Sequence, residues 1–126
     1  MRLFVMSIRL AALGAFAFGA LMPGAAPAAP ASIPSGAIAI TASNYKFAPG
    51  TITVKAGQPV TLALSSAGGV HGIQSSDLGI KQTMITPGGE VKIVTFTPSK
   101  AGKYQVHCSV PCGPGHADMV LTVVVQ

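Results

Sequence analysis

Between Tyr104 and Met119 the chain reads YQVHCSVPCGPGHADM, so Cys108, Cys112, His116 and Met119 are gathered in one short segment. Thiolate, imidazole and thioether are the soft and borderline donors that suit copper. Structural zinc tends toward Cys/His sets without methionine, and calcium and magnesium prefer oxygen. A further donor has to come from elsewhere, and His71 is the candidate. It follows Ala67-Gly68-Gly69-Val70, a flexible approach that lets backbone come close to another element. Two of these residues have a plainer reading beside the metal. Cys108 and Cys112 could close a disulfide in the metal-free protein under oxidising conditions. Met119 could be a core methionine opening the last strand.

The elements that must position these donors are strands. Thr51 to Lys55 alternate, with Ile52 and Val54 on one face, and Val60, Leu62 and Leu64 repeat the pattern after an Ala56-Gly57-Gln58 turn. Pro87-Gly88-Gly89 turns into a β-branched run from Val91 to Thr97. A turn at Pro98 to Gly102 leads into Lys103 to Cys108, and Met119 to Val125 closes as an apolar strand. Period-two patterning with Gly/Pro turns at this spacing predicts an all-β, antiparallel sandwich or barrel. The final VLTVVV is apolar on both faces, as a central strand would be. Alternation from Lys103 puts Tyr104, Val106 and Cys108 on one face and His107 on the other. If the first face is the core, Cys108 points inward at the strand end. His107 is then an exposed strand histidine rather than a ligand.

Taken whole, the 126 residues are 49% hydrophobic and 9% charged with a formal charge of +5, figures that suggest a membrane or nucleic-acid partner. Most of that character sits in the first 31 residues. MRLFVMSIR carries both arginines and no acid, Leu10 to Met22 are uncharged and mostly apolar, and PGAAPAAPAS follows. That order is the one of a secretory signal, with Ala26-Pro27-Ala28 or Ala29-Pro30-Ala31 as processing sites. The apolar run makes about 20 Å of helix, short of a roughly 30 Å hydrocarbon core. Residues 1–31 are therefore expected to be a signal peptide with an Ala/Pro-rich processing region, 32–36 a short linker and 37–126 the domain. The expected location is the periplasm or another exported space. If the segment is retained, it would anchor the chain to the inner membrane. The remainder carries six lysines against three acids, no arginine and no tryptophan. Scattered lysines without stacking aromatics exclude nucleic acid as the natural partner.

These residues resemble the cupredoxin domain that carries the CuA centre, found in subunit II of haem–copper oxidases and in nitrous-oxide reductase. The motif of that domain is C-x3-C-x3-H-x2-M with an upstream histidine, and Cys108, Cys112, His116, Met119 and His71 fill it without gaps. The resemblance extends through VHGI (Val70 to Ile73), LGIKQTMITPGGEV (Leu78 to Val91) and the GKYQVHC lead-in, so it covers essentially the whole domain. It implies a cupredoxin-like Greek-key β-sandwich. It also implies a binuclear site with one copper on His71 and the other on His116, bridged by both thiolates. Met119 and the backbone carbonyl of Val110 would be the weak ligands. Many members have glutamate where Val110 stands, and an aromatic electron route built on tryptophan is missing here.

The function implied is periplasmic electron transfer, with a c-type cytochrome or a terminal oxidase as partner. Two other readings keep the metal: a copper storage or delivery protein for oxidase assembly, and a mononuclear type 1 blue-copper protein. Catalysis by the chain itself is not expected. The donor set leaves no open position for a substrate, and there is no nucleophile–base pair.

Overall fold

A computed structural model describes Gly24 and residues 32–126; the expected signal segment lies outside the described residues. Among the described residues nine strands follow in order: β1 (Ile38–Ser43), β2 (Lys46–Ala48), β3 (Thr51–Val54), β4 (Val60–Ser66), β5 (His71–Ser75), β6 (Ile80–Ile85), β7 (Lys92–Phe96), β8 (Gly102–His107) and β9 (Val120–Val125). A 3-10 turn, His116–Asp118, lies between β8 and β9. Among the described residues no helix is long and apolar enough to cross a membrane.

The strands form two facing sheets, ordered β2-β1-β4-β7 and β3-β9-β8-β5-β6. Inward residues of both meet in one core, where Ile40, Leu62, Leu64, Ile73, Ile85, Val106, Leu121 and Val123 are almost wholly buried. β9 lies between β3 and β8, the interior place its two-sided apolarity implies. Leu121, Val123 and Val125 face the core, while the alternate residues are half-buried. Turn chemistry falls where the sequence puts it. Gly57 and Gly88 take φ of 76° and 65°, a region that residues with a Cβ rarely occupy.

Two features depart from the sequence reading. The sandwich is mixed rather than antiparallel, because β1 pairs parallel with β4 and β3 parallel with β9. Alternation reports which face of a strand is buried and is blind to the direction of its neighbour. Chain crossings between the sheets set that direction. The second departure is strand β5, which the sequence reading does not mark and which His71 opens opposite Ile85 of β6. With Gly, Gln and Ser among its residues, β5 lacks the β-branched run that marks a strand.

Candidate metal centre

The site forms at one end of the sandwich, where three chain segments converge. Strand β8 supplies the first. Val106 is buried, His107 is exposed on the outer face opposite Gln74, and Cys108 just beyond the strand end is 5% exposed and points inward. Backbone bonds fix this end: Cys108 N–H donates to Met119 O at 3.1 Å and Ser109 N–H to Gly72 O at 3.3 Å. The second segment, Ser109 to Met119, folds back through the 3-10 turn, closed by bonds from His116 N to Gly113 O and from Met119 N to His116 O. It returns Met119 to the core, fully buried.

The third segment is the approach to β5. His71 is fully buried, and its Nε2 lies 2.7 Å from Gly68 O. A carbonyl only accepts, so Nε2 carries the proton and Nδ1 presents a lone pair. Nδ1 is buried without a protein partner. An orphaned imidazole nitrogen of this kind is costly unless something else binds it. The imidazole lies beside the thiols: the donor atoms of His71, Cys108 and Cys112 lie within 4.8 Å of one another.

Around that group the other expected residues gather. The Cys108 and Cys112 sulfurs are 3.6 Å apart, and both thiols are free. Cys112 Sγ lies 3.7 Å from His116 Nδ1 and 3.8 Å from Met119 Sδ. Cys108 Sγ lies 3.3 Å from the Val110 carbonyl. Sulfur and nitrogen each about 2.0–2.3 Å from one ion would stand roughly 3.5 Å apart at a tetrahedral angle. The observed separations match donors sharing a metal, and the donor set fits copper by its softness. All six positions singled out in the sequence are thus brought to one place.

Sequence reasoning missed the residues that pack this end. Asn44 and Tyr45, in the turn between β1 and β2, lie against the segments bearing the donors, and Gly72 lets Ser109 and Val110 settle on β5. The only signal was indirect: glycine at positions 69, 72, 113 and 115, close to the donors in sequence.

Burial, followed by the hydrogen bond and charge of Cys108, pushes the Cys112 thiol above its ordinary 9.0. A thiol that ionises at higher pH when folded binds its proton more tightly in the native state. Its contribution to stability is full below the unfolded thiol value and fades as pH rises through the folded one. Reduced, metal-free protein is therefore expected to lose stability progressively as pH rises above 9.0. Denaturant midpoints between neutral and alkaline pH test this against Cys112→Ala. Identical pH profiles for the two proteins would contradict it. Since the metal-binding form is the thiolate, loading at neutral pH must also release protons.

The fold and this donor cluster define a class. The chain matches the family described as "Cupredoxin-like domain" over residues 10–123 and belongs to it. Within that class it is homologous to cytochrome c oxidase subunit II. It is 29% identical over 87 residues to cytochrome c oxidase subunit 2 of Thermus thermophilus, an alignment covering 69% of this chain and 63% of the relative. Among solved structures it resembles a chain of a heme–copper terminal oxidase dimer, with 27% identity and a TM-score of 0.62, over 69% of this chain and 60% of the other. The periplasmic domain of cytochrome oxidase subunit II from Bradyrhizobium japonicum shares the fold, with a TM-score of 0.65 at 17% identity over 73% of this chain and 84% of that one. The chain spans 63% of the length of the Thermus relative.

Proposed function

We propose that this protein is a periplasmic electron carrier whose centre holds two copper ions. His71, Cys108, Cys112, His116, Met119 and the Val110 carbonyl would be the ligands. One observation carries the reading: two free thiols 3.6 Å apart, both within 4.8 Å of a buried imidazole whose Nδ1 has no partner, with Cys112 also beside a second imidazole and a thioether. Such a pair of coppers would supply exchange of one electron at a time.

The chain's own residues hold and shield that centre. Gly68 O fixes the tautomer and the orientation of His71, so the ring cannot turn its other nitrogen inward. His71, Cys108 and Met119 are buried and keep water from the donors, whereas Cys112 and His116 are half-buried. A donor set this enclosed favours retention of the metal over its delivery to another protein. The expected signal segment and the exported setting of the subunit II domain from Bradyrhizobium japonicum support a periplasmic place. Residues 37–126 would be the working domain, with 1–31 removed on export.

Kinship to oxidase subunits supports a c-type cytochrome or a terminal oxidase as the partner. Stopped-flow mixing of the oxidised, copper-loaded protein with a reduced c-type cytochrome is the test. The expected result is one electron accepted per centre at a rate proportional to protein concentration. Absence of exchange with either a cytochrome or an oxidase, by a protein that retains its copper, would overturn the carrier role.

A further inference from the structure

The turn between β1 and β2 touches both donor-bearing segments from outside. On one side, a Cβ built at Gly115 would lie 2.6 Å from the Tyr45 Cβ and Cδ2 atoms and press on Cγ. One at Gly113 would lie 2.9 Å from Cε1 and would meet the hydroxyl. Gly115 has an ordinary backbone, φ −92° and ψ 8°, which any residue can adopt. What requires glycine there is the tyrosine ring. On the other side, a Cβ at Gly69 would lie 2.9 Å from Asn44 Oδ1 and 3.1 Å from His71 Nε2. Asn44 thus lies over the segment whose Gly68 carbonyl fixes the imidazole. Tyr45 and Cys112 both pack, half-buried, on the edge of the core.

We infer that the Asn44–Tyr45 turn is a clamp that positions the two donor segments relative to each other, with Tyr45 the principal contact and Gly113 and Gly115 its cradle. β1 and β2 belong to the four-stranded sheet, whereas His71 and the cysteine segment are carried by the five-stranded one. The turn therefore closes the open end of the sandwich from the opposite sheet. Tyr45 acts through packing and is a positioning residue, not a ligand. The inference takes its purpose from the proposed copper centre, yet the clamp can be tested without metal.

In the full protein, reduced and metal-free, amide hydrogen exchange would be read along residues 109–119. Tyr45→Ala is expected to raise exchange in that segment about tenfold while strands β3 and β9 stay protected. Tyr45→Phe, which keeps the ring, should behave like the parent. Gly115→Ala should disturb the segment by colliding with the ring, and combining it with Tyr45→Ala should relieve that collision, so the two changes are non-additive. After copper loading, the resonance should be heterogeneous in Tyr45→Ala and single in Tyr45→Phe. Tyr45→Leu replaces the alanine variant should that one not fold. Uniform loss of protection across the domain, a phenylalanine variant as disturbed as the alanine one, or strict additivity with Gly115→Ala would overturn the clamp. Failure of the parent protein to bind copper would overturn the metal reading and leave the exchange results to decide the clamp.

Discussion

Cys112→Ser is expected to leave a protein that binds at most one copper, with affinity lowered on the order of 100-fold or more, beyond what losing an outer-shell partner typically costs. The reason is geometric. Cys112 Sγ is the one donor within 3.8 Å of Cys108, His116 and Met119 together. A serine hydroxyl stays protonated at neutral pH and offers a hard oxygen, so it cannot replace a bridging thiolate. Cys108→Ser should also abolish the two-copper centre, with a different remainder. Cys112, His116 and Met119 stay in place and form a one-cysteine set able to hold a single copper. Loss of Cys112 leaves Cys108 beside His71 and the Val110 carbonyl and removes the thiol that lies beside His116 and the Met119 thioether. The asymmetry separates a shared bridge from two independent thiols. Copper counts and resonance spectra of both variants check it, and either variant retaining two coppers would contradict it.

Gly72→Ala is the second change with a large expected effect, although it removes no donor. An added methyl would lie 2.9 Å from the Thr83 carbonyl and from Val110 Cγ2, and would press on Ser109 Oγ. Thr83 O is backbone of the neighbouring strand and cannot swing away, so the Ser109–Val110 segment has to move. That segment is held by the bond from Ser109 N to Gly72 O and carries the Val110 carbonyl beside Cys108. Overpacking of this kind costs about 1–3 kcal/mol. For a domain of this size each kcal/mol lowers Tm by about 4–8 °C. The copper resonance should change as well. Gly68→Ala is the control: a methyl there meets nothing within 4 Å, and the carbonyl that binds His71 remains. Thermal melts of the two variants decide the matter, and equal melting temperatures would contradict the packing argument.

Strands β3, β4 and β8 are legible in the sequence because apolar and polar residues alternate along them, β7 because it is a β-branched run, and β9 because it is continuously apolar. The same alternation placed Cys108 inward and His107 outward, which the burial pattern reproduces. β5 escaped because Gly72 and the polar residues around it hide the pattern. The glycine that blurs the strand is the one that lets the donor segment approach. Parallel pairing of β1 with β4 and of β3 with β9 was invisible for another reason: it depends on which strands become neighbours. The donors could be found because their chemistry is concentrated within a few residues. Asn44 and Tyr45 could not, since they reach Gly69, Gly113 and Gly115 only through the closed sandwich. Local spacing thus exposes ligands, while the residues that hold ligands in place emerge with the fold.

Copper stoichiometry and the electron resonance of the mature, copper-loaded protein test the central claim most directly. Two coppers per chain are expected, with a purple, mixed-valence spectrum in which one unpaired electron is shared equally over two copper nuclei. Loss of that signal in both serine variants would tie it to the two thiols. One copper per chain, with a hyperfine pattern from a single nucleus, would contradict a binuclear centre and leave a one-cysteine blue-copper site in its place.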